Sequence, residues 1–328
     1  MAYIDAGQRT APVRKLAPGG QGRKLQIEHV TKRYGPNVVV DDLSFTVQPG
    51  RVTGFLGPNG AGKSTLMKIL LDLASADQGR TSIGGTRYRD LREPALTVGV
   101  VLEPNAFHPG RSGRNHLRIL ASGAGFPAER VDEMLWLVGL GDAADRRVGA
   151  YSLGMRQRLS LAAALLGDPP VLILDEPGNG LDPQGIRELR ELLRARAANG
   201  HTIFVSSHLL SEVEHLADEV VVLNKGRLVA SGALAELQKE ATLVRTRATA
   251  LLTEVLEAAG GVVQPQERDA LVIRGLPIDE IGDRAYSAGI ALHELSPHSG
   301  SLEDLFLNWT GTAETDGAPN SAKGVLSA

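Results

Sequence analysis

Apolar positions along the chain fall into two rhythms, unbroken runs and helical spacing. Val52 to Leu56, Val171 to Leu174 and Thr202 to Ser206 are runs of the kind that a strand buried on both faces requires. A further strand is expected over Val98 to Leu102, after Arg80 to Gly85. Leu25, Ile27 and His29 instead alternate with Gln26 and Glu28, which predicts a strand ended by the turn Lys32-Arg33-Tyr34-Gly35. Leu66, Ile69 and Leu70 recur as one face of a helix. Ile186, Leu189, Leu192 and Leu193 do the same behind Pro183, whose missing N–H costs nothing at a first helical position. From about 106 to 167 helical spacing dominates, through Leu117, Ile119, Leu120, Val131, Met134, Leu135, Leu137 and Val138. That section reads as a mostly helical insertion whose last helix begins after Tyr151-Ser152-Leu153-Gly154-Met155. Strands alternating with helices imply right-handed parallel βαβ units, with ligands at the carboxyl ends of the strands. The class expected is α/β, a parallel-sheet core with a helical subdomain.

Past about Ser231 the chain becomes less apolar and a second pattern starts. Strands are expected over Thr242 to Arg247, Val262 to Gln266, Ala270 to Arg274 and Ile290 to Leu295, with helices over Ala248 to Ala259 and Pro277 to Ala288. The order β-α-β-β-α-β fits a small ferredoxin-like α+β unit. Ser301 to Leu307 has a serine cap and acidic residues in its first turn, as an amphipathic helix would. The expected division is a disordered tail over 1–24, a main domain over 25–235, a small C-terminal domain over 236–310 and a second disordered tail over 311–328. Arg14, Lys15, Arg23 and Lys24 make the first tail either a solvated segment or a weak attractor of an anionic membrane leaflet.

Charge and composition narrow the function by exclusion. A formal net charge of -3 gives no argument for a nucleic-acid partner, which would normally show as a basic face or stripe, and the absence of cysteine excludes disulfides and thiolate metal sites. A reducing compartment suits such a chain. No apolar run reaches the roughly 18–20 residues of a membrane span, so any membrane role is expected to need a partner.

The chemistry concentrates where the run Val52 to Leu56 meets the helix. Gly57, Pro58, Asn59, Gly60, Ala61, Gly62, Lys63, Ser64 and Thr65 form a P-loop pattern in the required strand–loop–helix context. Its glycines allow positive φ and turn backbone N–H groups inward, where a side chain would block a bound polyphosphate. Lys63 reaches the β- and γ-phosphates, Ser64 can ligate Mg²⁺, and the helix dipole favours the same anion. A Gly-rich turn with a solvated lysine is the alternative, and the flanking apolar pattern counts against it. Asp175, at the end of its apolar run, can hold Mg²⁺ directly or through water. Glu176, not spent on the metal, is the better general base for an attacking water, a role that contributes about 10²- to 10⁴-fold in rate. His208 falls just past the next strand. Tyr34 reads equally as an aromatic that stacks on a nucleotide base or as a partly buried structural tyrosine.

Taken in order, the P-loop, Tyr151 to Met155 with Gln157-Arg158, Leu174-Asp175-Glu176-Pro177, Gly180-Leu181-Asp182 and Ser206-Ser207-His208 resemble the ATP-binding subunits of ABC transporters, over roughly Leu25 to Gly232. The resemblance implies ATP and Mg²⁺ as cofactors and a head-to-tail dimer around two ATP, built from two copies or from a related ATPase subunit. It implies further that Ser152 and Gly154 contact the γ-phosphate held by the opposite subunit, that Asp182 communicates between sites, that His208 contacts the γ-phosphate and that Tyr34 stacks on adenine. Glu103 stands where the family usually carries a glutamine that senses Mg²⁺ and the membrane partner. Tyr151, Leu153 and Met155 stand where Leu, Gly and Gln are commonest, which makes slow hydrolysis an expectation. Glu103-Pro104 and the C-terminal helix resemble the exporter branch that includes antibiotic-resistance subunits of the daunorubicin and bacitracin type. The function implied is ATP hydrolysis driving a separately encoded permease from the cytoplasmic face of the membrane, with no nucleic-acid partner. The alternative is a soluble, non-transport ABC ATPase acting on nucleic acid or another complex.

Overall fold

The structure, a computed structural model, describes residues 21–102, 107–237 and 241–298, together with residues 302 and 306. In chain order the strands are β1 (Leu25–Tyr34), β2 (Asn37–Val47), β3 (Arg51–Leu56), β4 (Gln78–Ile83), β5 (Val98–Val101), β6 (Val171–Asp175), β7 (Thr202–Ser207), β8 (Glu219–Asn224), β9 (Arg227–Ala233), β10 (Ala241–Arg245), β11 (Val262–Glu267), β12 (Ala270–Arg274) and β13 (Glu294–His298). The helices are α1 (Lys63–Leu70), α2 (Pro94–Thr97), α3 (Gly113–Ala124), α4 (Glu129–Leu137), α5 (Leu153–Leu165), α6 (Pro183–Ala198), α7 (Leu210–Glu214), α8 (Leu234–Leu237), α9 (Thr249–Glu257) and α10 (Ile278–Ser287).

Six strands in the order β5-β6-β7-β3-β8-β9 make the central sheet, parallel except for the β8–β9 hairpin. Its unbroken apolar runs are explained by two cores, one on each face. Leu172, Leu174, Ile203 and Val205 pack with helices α3 to α5, whereas Val171, Ile173 and Phe204 face α1 and a three-stranded antiparallel sheet, β2-β1-β4. Phe45 of that sheet meets Phe55 and Phe204 of the central one at ring-centroid distances of 5.8 and 6.1 Å. This layering buries β3 from both faces, Val52 in one core and Phe55 in the other.

Strands β2, β8 and β9 were not legible as elements in the sequence pattern; β8 divides its apolar positions between two cores, Val221 and Leu223 in one and Val220 and Val222 in the other. The last helix of the insertion starts within Tyr151 to Met155 rather than after it, since Ser152 is its N-cap and accepts from the Met155 N–H at 3.2 Å. Of Gly22, Arg23 and Lys24, assigned to the N-terminal tail, the Gly22 N–H donates to the Gly200 carbonyl, and the Arg23 and Lys24 carbonyls accept from the Thr202 hydroxyl and the Gly84 N–H.

The C-terminal strands form a separate antiparallel sheet, β11-β12-β10-β13, which is the ferredoxin-like arrangement of the β-α-β-β-α-β order. Its last strand begins at Glu294, four residues later than expected. Gly289 ends α10 in a left-handed conformation, and Ile290 and Leu292 are used up filling the helix–sheet core before the strand starts. The expected helix over Ser301 to Leu307 lies outside the described residues except for Leu302 and Phe306. Leu302 is fully buried among Val213, Ala217, Val220 and Leu234, so the chain returns to the main domain beside α7. The tails expected before residue 21 and after 310 also lie outside the described residues.

Near the amino ends of β6 and β7, Arg196 is fully buried and pairs with Asp168 at 2.7 Å, and His201 lies beside it with no partner for Nε2 among the described residues. Burial, reinforced by the Arg196 cation, holds the His201 pKa below its ordinary value. The unfolded chain therefore binds a proton that the folded chain refuses, so stability falls as pH drops below about 6.5, by at most ~1.4 kcal/mol per pH unit. His201→Gln is expected to flatten this dependence. Thermal midpoints compared at pH 5.5 and 7.5 check it, and an unchanged slope in the variant refutes the assignment.

Candidate nucleotide site

The central position of β3 brings its loop between the carboxyl ends of β7 and β8. A cleft of about 230 Å³ opens there, lined by Val39, residues 59–65 and Glu176. Helix α1 begins at Lys63 with Gly62 as N-cap, no side chain caps it, and no acidic residue lies in its first turn. Its N–H groups and dipole are thus left to an external anion. Gly57, Gly60 and Gly62 have the positive φ expected from sequence, and a Cβ on Gly60 would meet nothing within 4 Å, but Gly57 and Gly62 answer to a further constraint. A Cβ on Gly62, at φ +104°, would lie 2.5 Å from the Val39 carbonyl oxygen, and one on Gly57 would lie 2.6 Å from that of Leu223. Side chains there would strike the protein backbone, not the space of the ligand.

Lys63 is buried, and its Nζ donates to the Gly57 carbonyl at 2.6 Å and lies 3.9 Å from Glu176 Oε1. Burial pushes its pKa down, and Glu176 and then Asp175 push it back up. Asp175 ends β6 directly opposite Ser206 of β7, whose hydroxyl donates to Asp175 Oδ1. Glu176 follows in a left-handed conformation, φ +49°, uncommon for a residue with a side chain. Its peptide is held on both sides: its N–H donates to the Ser206 carbonyl and hydroxyl at 3.2 and 3.0 Å, and Gln157 of α5 donates to its carbonyl at 3.3 Å. The turn carries the Glu176 carboxylate to within 2.7 Å of His208 Nδ1. Beyond His208, Glu212 of α7 lies near the same carboxylate, and burial, together with the Glu176 charge, raises its pKa.

Residues 57–65, Asp175, Glu176 and His208 therefore converge on one place. Tyr34 stands half exposed at the end of β1, with the Lys32 ammonium 5.2 Å from its ring centroid, while Val39 of the paired strand β2 lines the cleft. Asp182 caps α6, accepting from the Gly185 N–H at 2.8 Å. Ser152 and Gly154 do not line the cleft; they sit at the start of α5, where a Cβ on Gly154 would lie 2.5 Å from the Gly180 carbonyl oxygen. Glu103 lies outside the described residues. Two residues the sequence argument gave no role, Ser206 and Gln157, hold Glu176. The available signal was a polar group ending an otherwise apolar strand, Thr202 to Ser206.

The sequence of residues 40–179 matches the family described as ABC transporter, and residues 240–303 match a domain of unknown function (DUF8746). An uncharacterised ABC transporter ATP-binding protein of Bacillus subtilis (strain 168) is 33% identical over 304 residues, which cover 89% of this chain and 97% of that protein. The chain belongs to the ABC transporter ATP-binding family. The bacitracin transport ATP-binding protein BcrA of Enterococcus faecalis is 42% identical to it over 66% of this chain and 71% of its own length. The lantibiotic transport ATP-binding protein SrtF of Streptococcus pyogenes is 40% identical over 62% and 89%. A solved ATP-binding subunit of an ABC transporter superposes with a TM-score of 0.60 at 30% identity, covering 66% of this chain and 92% of that one. This ATP-binding subunit is accordingly an ATPase, with a P-loop NTPase fold. None of these relatives supports the non-transport alternative; they are described as ABC transporter, bacitracin transport or lantibiotic transport ATP-binding proteins.

Proposed function

We propose that this subunit hydrolyses ATP within a head-to-tail pair of cassettes and so drives a separately encoded permease of the export type, acting on an antibiotic-like compound. The observation that carries the pairing is the split of its motifs: Lys63 and Glu176 line one cleft, with His208 bonded to Glu176, while Ser152 and Gly154 stand at a different helix N-terminus. A γ-phosphate held only by the loop stays open to water on its far side, and a second cassette's α5 would supply N–H donors there. Export of an antibiotic-like compound is carried over from the named bacitracin and lantibiotic relatives. A permease partner also fits the described residues, among which no helix is long and apolar enough to cross a membrane. The place of work would then be the cytoplasmic membrane face.

Within the cleft, the loop N–H groups and Lys63 bind the phosphates, Lys63 exchanging the Gly57 carbonyl for phosphate oxygens. Glu176 takes a proton from the attacking water as that oxygen bonds to the γ-phosphorus and ADP leaves, and His208 orients the γ-phosphate. Tyr34 stacks its free face on the base, Asp182 answers to the opposite site, and Glu103 stays a candidate sensor of metal and permease. Ser64 and Asp175 offer hard oxygen donors, a set that suits Mg²⁺. Bound there, the metal supplies charge neutralisation on the β- and γ-phosphates. By the same division, residues 25–235 form the catalytic unit and 236–310 an accessory one.

Mixing two inactive variants tests the shared site. Lys63→Ala and Ser152→Arg homodimers each carry a defect in every site and should be inactive. In a mixed dimer both defects fall in one site, so ATPase activity should reappear. Co-purification of differently tagged chains with ATP verifies the mixed dimer. A verified mixed dimer without activity, beside an active parent/Ser152→Arg mixture, overturns the arrangement.

A further inference from the structure

The geometry points to Ser206 as the positioning residue for both strand-end carboxylates, an inference that rests on the roles proposed for Asp175 and Glu176. Ser206 is fully buried in β7, in register with Asp175 of β6. Its hydroxyl has one proton to give and lone pairs to share. The proton goes to Asp175 Oδ1, and a lone pair accepts the Glu176 N–H at 3.0 Å. Each bond has a separate consequence for the site.

Fixing Oδ1 sets the rotation of a buried carboxylate, and among the described residues no hydrogen bond reaches Oδ2. Oδ2 is then the oxygen presented to a divalent cation, and an outer partner of this kind typically changes metal affinity by about 10- to 100-fold. The second bond, shared with the Ser206 carbonyl at 3.2 Å, holds Glu176 in its left-handed conformation. That conformation directs the carboxylate toward His208. One hydroxyl thus sets the metal oxygen and the base together, at adjacent residues that must act on the same phosphate.

The test measures metal binding apart from turnover. Mn²⁺, whose free form is read by electron paramagnetic resonance, is titrated into the full-length protein with ADP present, for the parent, Ser206→Ala, Ser206→Thr, Asp175→Asn and the double variant Asp175→Asn/Ser206→Ala. Nucleotide affinity in EDTA screens each variant for an intact fold. Ser206→Ala is expected to weaken Mn²⁺ binding about 10- to 100-fold and to raise the Mg²⁺ needed for half-maximal hydrolysis in proportion, with nucleotide affinity in EDTA unchanged. Ser206→Thr, which keeps the hydroxyl, should bind Mn²⁺ like the parent, and the double variant should be no weaker than Asp175→Asn. Parental Mn²⁺ binding in Ser206→Ala beside a weakened Asp175→Asn overturns the inference alone. Parental binding in Asp175→Asn removes the role of Asp175 on which it rests. Equal losses in the Ala and Thr variants, both intact in EDTA, make Ser206 a packing residue and overturn it too. Full recovery of kcat in Ser206→Ala at saturating Mg²⁺ overturns the part concerning Glu176.

Discussion

Glu176→Gln should keep ATP and lose turnover by about 10²- to 10⁴-fold, the range that a positioned general base contributes. The substitution is nearly isosteric, and a glutamine can still hydrogen bond to His208 Nδ1, the atom now 2.7 Å from the carboxylate. What it cannot do is accept the proton of the attacking water. Lys63→Ala should fail differently. Its ammonium is buried within the loop that lines the cleft, so its loss removes the one side-chain cation among the described residues of the cleft lining and should weaken ATP binding itself. Binding of a fluorescent ATP analogue and single-turnover phosphate release separate the two effects. Hydrolysis at the parental rate in Glu176→Gln, together with normal ATP binding in Lys63→Ala, would show that the roles have been assigned to the wrong residues.

Removing the chain after Lys239 should cost the main domain stability even though every nucleotide motif is retained. Leu302 is fully buried in a cluster with Leu56, Val213, Val220, Val222 and Leu234, and Phe306 packs against it. The Leu302 N–H also donates to Glu214 of α7 at 3.2 Å. Truncating one such leucine to alanine costs about 2–5 kcal/mol, and for a domain of this size each kcal/mol lowers the melting temperature by roughly 2–4 °C. Leu302→Ala in the full chain should therefore melt roughly 5–15 °C lower, and the truncated chain at least as low. Because Leu56 leads into the P-loop and α7 follows His208, ATP should protect both proteins against heat. A truncated chain that melts with the parent would show that residues 236–310 are energetically independent. Failure of Leu302→Ala to shift the midpoint would show that the buried contact contributes nothing.

The P-loop, the apolar strands leading to Asp175 and to Ser206, the β-α-β-β-α-β order and the family resemblance were all legible in the sequence. The reason is that these features are local: a phosphate nest needs particular residues at adjacent positions, and a two-faced strand needs a continuous apolar run. Boundaries were less legible, because capping and core filling settle them. Ser152 starts α5 inside the signature stretch, and Ile290 delays the last strand. What only the tertiary structure decided are contacts between residues far apart in the chain. Ser206 reaches Asp175 and Glu176 from a neighbouring strand, Gln157 holds the Glu176 carbonyl from another helix, and Leu302 returns to α7 across the whole C-terminal unit. The sequence therefore determined which groups are proposed to bind and cleave ATP. Strand register and helix packing, which depend on the summed burial of two cores, decided how Glu176 is held and which distant segment supports the main domain.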